Sequence, residues 1–296
     1  MRINLRVPPL KNEAINAATR LCAVFGSPIK HSASPAMHNA AFAQLGLNWR
    51  YVACEVDPKK LRAAIAGARA MNLAGLNLTV PHKLLAVKMV DALDASAKKW
   101  GAVNTIKFEN GRAIGCNTDA EAIVTSLRQD LKIKLRGAKV LLLGAGGAGR
   151  TAALKLAAEA VAELYLVNRT ATKAQKIAGE IKKQFPSVKV FVGYPKTKVD
   201  LILNATSLGL KADDASPLDE KQFSLKQARA AYDMIYRPAE TLLLKAARQA
   251  GCKTANGLGM LLHQGAKAFE IWTGQPAPLD VMRRALVENI YGRAEK

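Results

Sequence analysis

An α/β protein of two domains is predicted by three observations on the sequence. Strand-like and helix-like segments alternate from end to end, the pattern of mostly parallel sheets with helices on their faces. Half of the 296 residues are apolar, enough to bury a sizeable core. A glycine-rich turn, "GAGGAG" at 144–149, stands between a run of Val and Leu and a helix-forming stretch, and opens a second series of strands and helices.

The elements follow in order. Strand 21–26 leads through the loop "SPIKHSAS" into a helix over 35–46, in which Ser34 is the expected N-cap and Pro35 the first helical residue. Strand 49–56, helix 58–71 and strand 73–80 come next, then a helix over 82–93. Residues 104–116 read as a hairpin, because Asn110-Gly111 supplies its tight turn. After a helix near 119–130, the polar, Lys-rich spacer "QDLKIKLRGAK" places a boundary within 119–136. The second series runs through strand 140–144, a helix opening at Arg150, strand 163–168, helix 171–184, strands 188–192, 200–205 and 230–236, helix 239–250 and a short strand at 253–255. By pattern alone, the helices from residue 259 onward fit either domain.

Composition excludes several classes of function. Lys and Arg number 44 against 23 Asp and Glu, a net charge of +21 that attracts polyanions and small anions alike. The basic residues are scattered, in doublets such as Lys98-Lys99, Lys182-Lys183 and Arg283-Arg284, and only 5% of residues are aromatic, so no specific nucleic-acid partner is expected. No apolar run is long enough to span a bilayer, and no membrane partner is expected. The basic stretch 1–20 lacks the apolar centre of a secretory signal; it reads as an arm before the first strand, with an organelle transit peptide as the alternative. Cys22, Cys54, Cys116 and Cys252 are far apart and form no C-x-x-C pair, which points to the reducing cytoplasm. His31, His38 and His263 lack zinc-ligand spacing, so no metal is expected.

The turn at 144–149 carries the first chemistry. Gly144 permits a tight turn, Gly146 lets the backbone approach a pyrophosphate, and Gly149 lets helix and strand pack closely, with helix-start N–H groups facing the anion. This reads as a Rossmann-type dinucleotide site, the alternative being a glycine-rich turn that holds no ligand. An NAD site ends its next strand in Asp or Glu, whereas this strand ends in Asn168-Arg169-Thr170 with Lys173 a turn further on. A 2′-phosphate finds cations and a hydroxyl there, so NADP(H) is the expected cofactor. The alternative is that Arg169 is a solvated surface charge.

The first domain must name the reaction. Ser32 and Ser34 put two hydroxyls beside a helix N-terminus, a receptor for a carboxylate; Ser34 as a cap needs no ligand, while Ser32 has no evident structural task. Thr79 and Lys83 end the third strand in "NLTVPHK", and Asn104 and Asp119 flank the hairpin. Each has a plain structural alternative: a turn for Asn104, a cap for Asp119, a helix-start cation for Lys83. The last is awkward, because a cation is unfavourable at a helix N-terminus.

The ordered segments "GSPIKHSASP", "NLTVPHK", "GAVNT", "GCNTD", "GAGGAG", "NRT", "NATSLG", "YDMIY" and "NGLGMLLHQ" resemble the shikimate dehydrogenase family from about Leu21 to Trp272. The resemblance implies reduction of 3-dehydroshikimate to shikimate with NADPH, on the route to chorismate and the aromatic amino acids. It implies a substrate domain at 1–119, to which helices at 258–296 return, an NADP-binding domain at 120–257, and an active site in the cleft between them. Ser32 and Ser34 would hold the carboxylate, and Thr79, Asn104, Asp119, Tyr236 and Gln264 the ring and its hydroxyls. Lys83 and Asp119 would be the catalytic pair. Gly144, Ala145, Gly146, Gly147 and Ala148 would hold the pyrophosphate, Asn168, Arg169, Thr170 and Lys173 the ribose phosphate, and Met234 and Gly257 the nicotinamide. Lys173 departs from a second Arg frequent in the family, and His82 is read as a packing or supporting residue. Monomer and homodimer both stay open, as does a related enzyme acting on quinate with NAD.

Overall fold

The computed structural model describes residues 15–211 and 213–292; the basic arm at 1–14 lies outside them. The described chain is α/β, with two separate six-stranded sheets. It divides into two compact units, residues 1–118 with 264–296 and residues 119–263.

In the first unit β1 (Arg20–Gly26), α1 (Ser34–Gln44), β2 (Trp49–Glu55), α2 (Leu61–Ala70) and β3 (Gly75–Leu78) alternate as the pattern predicts. The expected helix over 82–93 is a single turn, α3 (His82–Leu85), continued by a 3₁₀ turn and then by a two-residue strand, β4 (Ala92–Leu93). Its apolar residues Leu84, Leu85, Val87, Met89 and Val90 surround the axis instead of forming one stripe, and Ala92 and Leu93 find parallel partners in Ile114 and Gly115. A further helix, α4 (Ala95–Trp100), was not expected. Asp94 caps it by accepting from the N–H of Ala97 at 2.7 Å, and Gly101 ends it in the left-handed conformation. The hairpin of β5 (Thr105–Glu109) and β6 (Arg112–Cys116) turns at Asn110-Gly111, both at positive φ. The sheet order is β2-β1-β3-β5-β6-β4.

The second unit begins with α5 (Asp119–Asp130). It continues through β7 (Lys139–Leu143), α6 (Gly147–Ala158), β8 (Glu163–Val167), α7 (Ala171–Gln184), β9 (Lys189–Val192), β10 (Val199–Asn204), β11 (Ala228–Asp233), α8 (Leu242–Gln249) and β12 (Lys253–Asn256). The strands are parallel in the order β12-β11-β10-β7-β8-β9, the doubly wound arrangement, with the order reversing beside β7. The division at 263/264 falls inside α9 (Leu258–Thr273); α10 (Leu279–Tyr291) follows and packs on α1. Trp272 of α9 donates to the carbonyl of Ile106 at 3.0 Å, beside Gly75, whose missing side chain makes room for the indole. Among the described residues no helix is long and apolar enough to cross a membrane.

The core of the first unit holds a titratable group. His38 on α1 is fully buried, stacked on Tyr51 at 4.3 Å between ring centroids and close to Trp272 and Phe42. Neither ring nitrogen has a hydrogen-bond partner, and burial pushes its pKa down to about 3. The unfolded chain therefore takes up this proton near pH 6.5 while the folded chain refuses it. The associated stability is complete above pH 6.5 and declines as pH falls toward 3. Between pH 6.5 and 5 the loss is about 2 kcal/mol for one such proton. Urea unfolding at both pH values is expected to show this loss in the wild type and a smaller one in His38→Phe; equal losses would contradict it.

Candidate active site

In the first unit the carboxyl ends of β1 and β3 bring Thr79, Lys83 and Asn104 into one corner with the serine loop. Thr79 follows β3 and donates its backbone N–H to Phe25 at 2.9 Å, while Ser27 donates to the carbonyl of Val80 at 3.1 Å, so the serine loop lies beside the end of "NLTV". Lys83, half-buried on α3, is anchored through its carbonyl, which accepts from the N–H of Val103 at 2.9 Å. Asn104 is the next residue. Its side-chain oxygen accepts from the N–H of Thr118 at 2.7 Å, and its amide donates to the Thr118 hydroxyl at 2.9 Å.

Ser34 does not perform the capping expected of it, and Ser32 makes a backbone contact that was not expected. Ser34 is already helical, preceded by Ala33 in helical conformation, and no side chain caps α1. Instead the hydroxyl oxygen of Ser32 accepts from the backbone N–H of Ser34 at 3.3 Å. Ser34 thus has no capping duty, and its hydroxyl lies against the phenol of Tyr51. His82 is fully buried beside the Val56 backbone and Asp57; burial pushes its pKa down, which suits a neutral packing group rather than an acid.

A buried polar network that the sequence did not announce supports this corner. The Tyr51 hydroxyl donates to Asn77 Oδ1 at 2.7 Å, and Asn77 Nδ2 donates to the Asn104 carbonyl at 3.2 Å and the Thr105 hydroxyl at 3.0 Å. A fully bonded network of this kind fixes a single arrangement. The signal for it was Asn77, a polar residue inside the otherwise apolar strand "LAGLNLTV". Gln264 lies on α9 in this unit, partly buried.

Asp119 opens α5 in the second unit, 4% exposed and directly after Thr118. Here the glycine-rich turn has the form a phosphate loop needs. Gly144 follows β7 at φ 107°, Gly146 precedes the helix, and α6 starts at Gly147, three residues earlier than expected. A Cβ on Gly149 would overlap the carbonyl oxygen of Gly144, so only glycine permits this approach of helix to strand. Space above Gly146 is open, and the first N–H groups of α6 have no intrahelical partner. Arg150, at the first turn, is held by Glu180 of α7 at 2.6 Å.

Asn168, Arg169 and Thr170 follow β8. The side chain of Asn168 braces the turn, accepting from the N–H of Ala145 at 2.9 Å and donating to the carbonyl of Thr170 at 2.9 Å. Arg169, Thr170 and Lys173 are exposed, and among the described residues neither cation is in an ion pair. Two unneutralised cations after this strand, with open helix N–H groups at the turn, fit a dinucleotide bearing an additional phosphate. Met234 and Tyr236 follow β11, both partly exposed; Gly257 follows β12 and packs against the Met234 carbonyl so closely that a Cβ would overlap it. No group of His, Cys, Asp and Glu among the described residues could hold a metal ion.

Three family models match the chain: the shikimate dehydrogenase substrate binding domain over residues 24–106, shikimate / quinate 5-dehydrogenase over 126–209, and the shikimate 5′-dehydrogenase C-terminal domain over 257–287. The shikimate dehydrogenase (NADP(+)) of Methanopyrus kandleri is 39% identical over 94% of this chain and 98% of its own. A shikimate dehydrogenase solved in complex with NADP+ superposes with a TM-score of 0.85 at 39% identity, covering 94% of this chain and 98% of that one. The ligand-free 5-ketofructose reductase of a Gluconobacter strain superposes with a TM-score of 0.81 at 35% identity, covering 93% and 100%.

Proposed function

The chain belongs to the shikimate dehydrogenase family, and from that premise we propose that it reduces 3-dehydroshikimate to shikimate, reversibly and with NADPH, in the biosynthesis of chorismate and the aromatic amino acids. The observation that carries this reading is the near-complete span of the likeness, joined to a dinucleotide turn whose next strand ends in Asn-Arg-Thr with no acid. NADP(H) is held by residues 144–148 at its pyrophosphate, by Arg169, Thr170 and Lys173 at its ribose phosphate, with Asn168 bracing the turn, and by Met234 and Gly257 at its nicotinamide. When bound, the reduced nicotinamide supplies a hydride.

Reduction of a ketone leaves negative charge on oxygen, so a proton donor must stand within hydrogen-bond reach of that oxygen. Lys83 is that donor, and in the reverse direction the acceptor. Asp119 pairs with it as the charge that orients the ammonium and one substrate hydroxyl. Thr79, Asn104, Tyr236 and Gln264 hold the ring and its hydroxyls, and Asn104 is suited to the task because Thr118 fixes its amide. Ser32 and Ser34 receive the carboxylate. Free thiols at Cys22, Cys54, Cys116 and Cys252 accord with a cytoplasmic enzyme, acting as monomer or homodimer.

Because Ser34 does not cap α1, Ser34→Ala is expected to raise KM for shikimate by about 10-fold, the worth of one hydrogen bond to a charged group, without the stability loss of about 1 kcal/mol that removing a cap brings. An unchanged KM would remove Ser34 from the carboxylate site. The activity itself is tested by giving purified protein NADPH with 3-dehydroshikimate or with 5-ketofructose. Oxidation of NADPH is expected with the first alone; turnover of the second alone would reassign the substrate.

A further inference from the structure

We propose that Asp233 is a positioning residue for the cofactor: its buried carboxylate ties the segment after β10 to the segment after β11, so that hydride transfer depends on a group that itself touches neither ligand. This rests on the cofactor reading above and extends it to a residue with no part in binding.

Sheet register is the first support. Leu143, Asn204, Asp233 and Asn256 pair in sequence across β7, β10, β11 and β12, forming one row at the carboxyl edge of the parallel sheet, where α/β proteins take their ligands. The residues directly after this row include Gly144, Met234 and Gly257, three of the candidate cofactor contacts. Three of the four row residues are polar, and two of them, Asn204 and Asp233, are fully buried.

Asp233 joins neighbouring segments. It is 0% exposed and accepts from three donors of different origin: Asn204 Nδ2 at 2.9 Å, the backbone N–H of Ile235 at 3.0 Å and the Thr241 hydroxyl at 2.7 Å. Through Asn204 it reaches the segment after β10, because Asn204 Oδ1 accepts both the N–H and the hydroxyl of Thr206, at 2.9 and 2.8 Å. Thr206 and Ala205 in turn pack against Gly144, leaving no room there for a Cβ. Through Ile235 and Thr241 it closes the segment that carries Met234 and Tyr236, and Met234 donates its N–H to the Asn204 carbonyl at 3.0 Å. The pyrophosphate turn and the nicotinamide contact thus lean on one carboxylate.

Among the described residues no cation pairs with Asp233, so neutral donors alone compensate its burial. A buried acid without a counter-ion is costly for a purely structural task, which an amide or an apolar residue performs more cheaply. The carboxyl group gives three donors one common acceptor. An Ala at 233 leaves all three without it and frees both segments, whereas an Asn keeps Oδ1 for Asn204 and Ile235 and can donate to the Thr241 hydroxyl.

The test uses Asp233→Ala, Thr241→Val and Thr241→Ser in the full chain. Affinity is measured for NADP+ and for adenosine 2′,5′-bisphosphate, which carries the ribose phosphate but no nicotinamide, together with kcat. Asp233→Ala and Thr241→Val are expected to lose about 10- to 100-fold in NADP+ affinity and to fall in kcat, the scale of one charge-assisted hydrogen bond. Binding of the bisphosphate, which places one phosphate at the turn and has no nicotinamide, falls much less than that of NADP+, and Thr241→Ser, which keeps the hydroxyl, behaves as wild type. Unchanged NADP+ binding and kcat in Thr241→Val would overturn the inference even if Asp233→Ala does not fold. Equal losses for both probes would overturn it as well, reducing Asp233 to a residue that maintains the domain. A wild-type chain that binds neither probe would instead sink the cofactor reading, and this inference with it.

Discussion

Lys83→Ala is expected to lower kcat by about 10²- to 10⁴-fold while KM for shikimate changes only a few fold, as for a group that transfers a proton only in the transition state. The substitution is expected to leave the fold in place, because Lys83 is half-buried and its backbone carbonyl accepts from Val103, a bond that alanine retains. Lys83→Arg sharpens the test. A guanidinium keeps the charge but does not give up a proton in proteins, so kcat stays low if proton transfer is the role and recovers if charge alone suffices. A near-normal kcat in Lys83→Ala would remove the lysine from the chemistry. Stopped-flow or steady-state rates in both directions provide the measurement.

Arg169→Ala is the second large effect. Arg169 is exposed, without an acidic partner among the described residues, at the end of the strand that follows the dinucleotide turn. Losing a charged donor to a phosphate costs about 1.5 to 3 kcal/mol, so KM for NADPH is expected to rise about 10- to 100-fold. KM for NADH, which has no such phosphate, is expected to stay unchanged. Preference between the cofactors therefore collapses while kcat at saturation persists. Equal changes in both KM values would mean that Arg169 serves the turn and not the phosphate. Lys173 keeps part of the charge but cannot form a two-pronged contact, which sets a floor under the loss.

How much of this was legible depended on whether the cause was local. The dinucleotide turn was plain, because each glycine answers a constraint within a few residues; Gly149 is required by the carbonyl of Gly144, five positions away. The hairpin at Asn110-Gly111 and the span of α7 were equally local. The end of the 82–93 segment was not: Ala92 and Leu93 are strand only because β6 offers them partners some twenty residues later. The serines show the same limit at smaller scale. A Ser-Pro pair suggests a capping serine, yet the chain enters α1 one residue earlier, no side chain caps the helix, and Ser32 instead accepts from the N–H of Ser34. Polar residues inside apolar strands, Asn77, Asn204 and Asp233, were visible as letters, but their partners are distant in sequence and only the folded sheet supplies them.

The account's central claim is the reaction, and it is tested most directly by nicotinamide absorbance with purified protein and four mixtures: shikimate or quinate, each with NADP+ or NAD+. Rapid reduction of NADP+ by shikimate, with the other three slow, is the predicted result. Faster turnover with quinate, or with NAD+, would contradict it and assign the chain to the broader branch of its family.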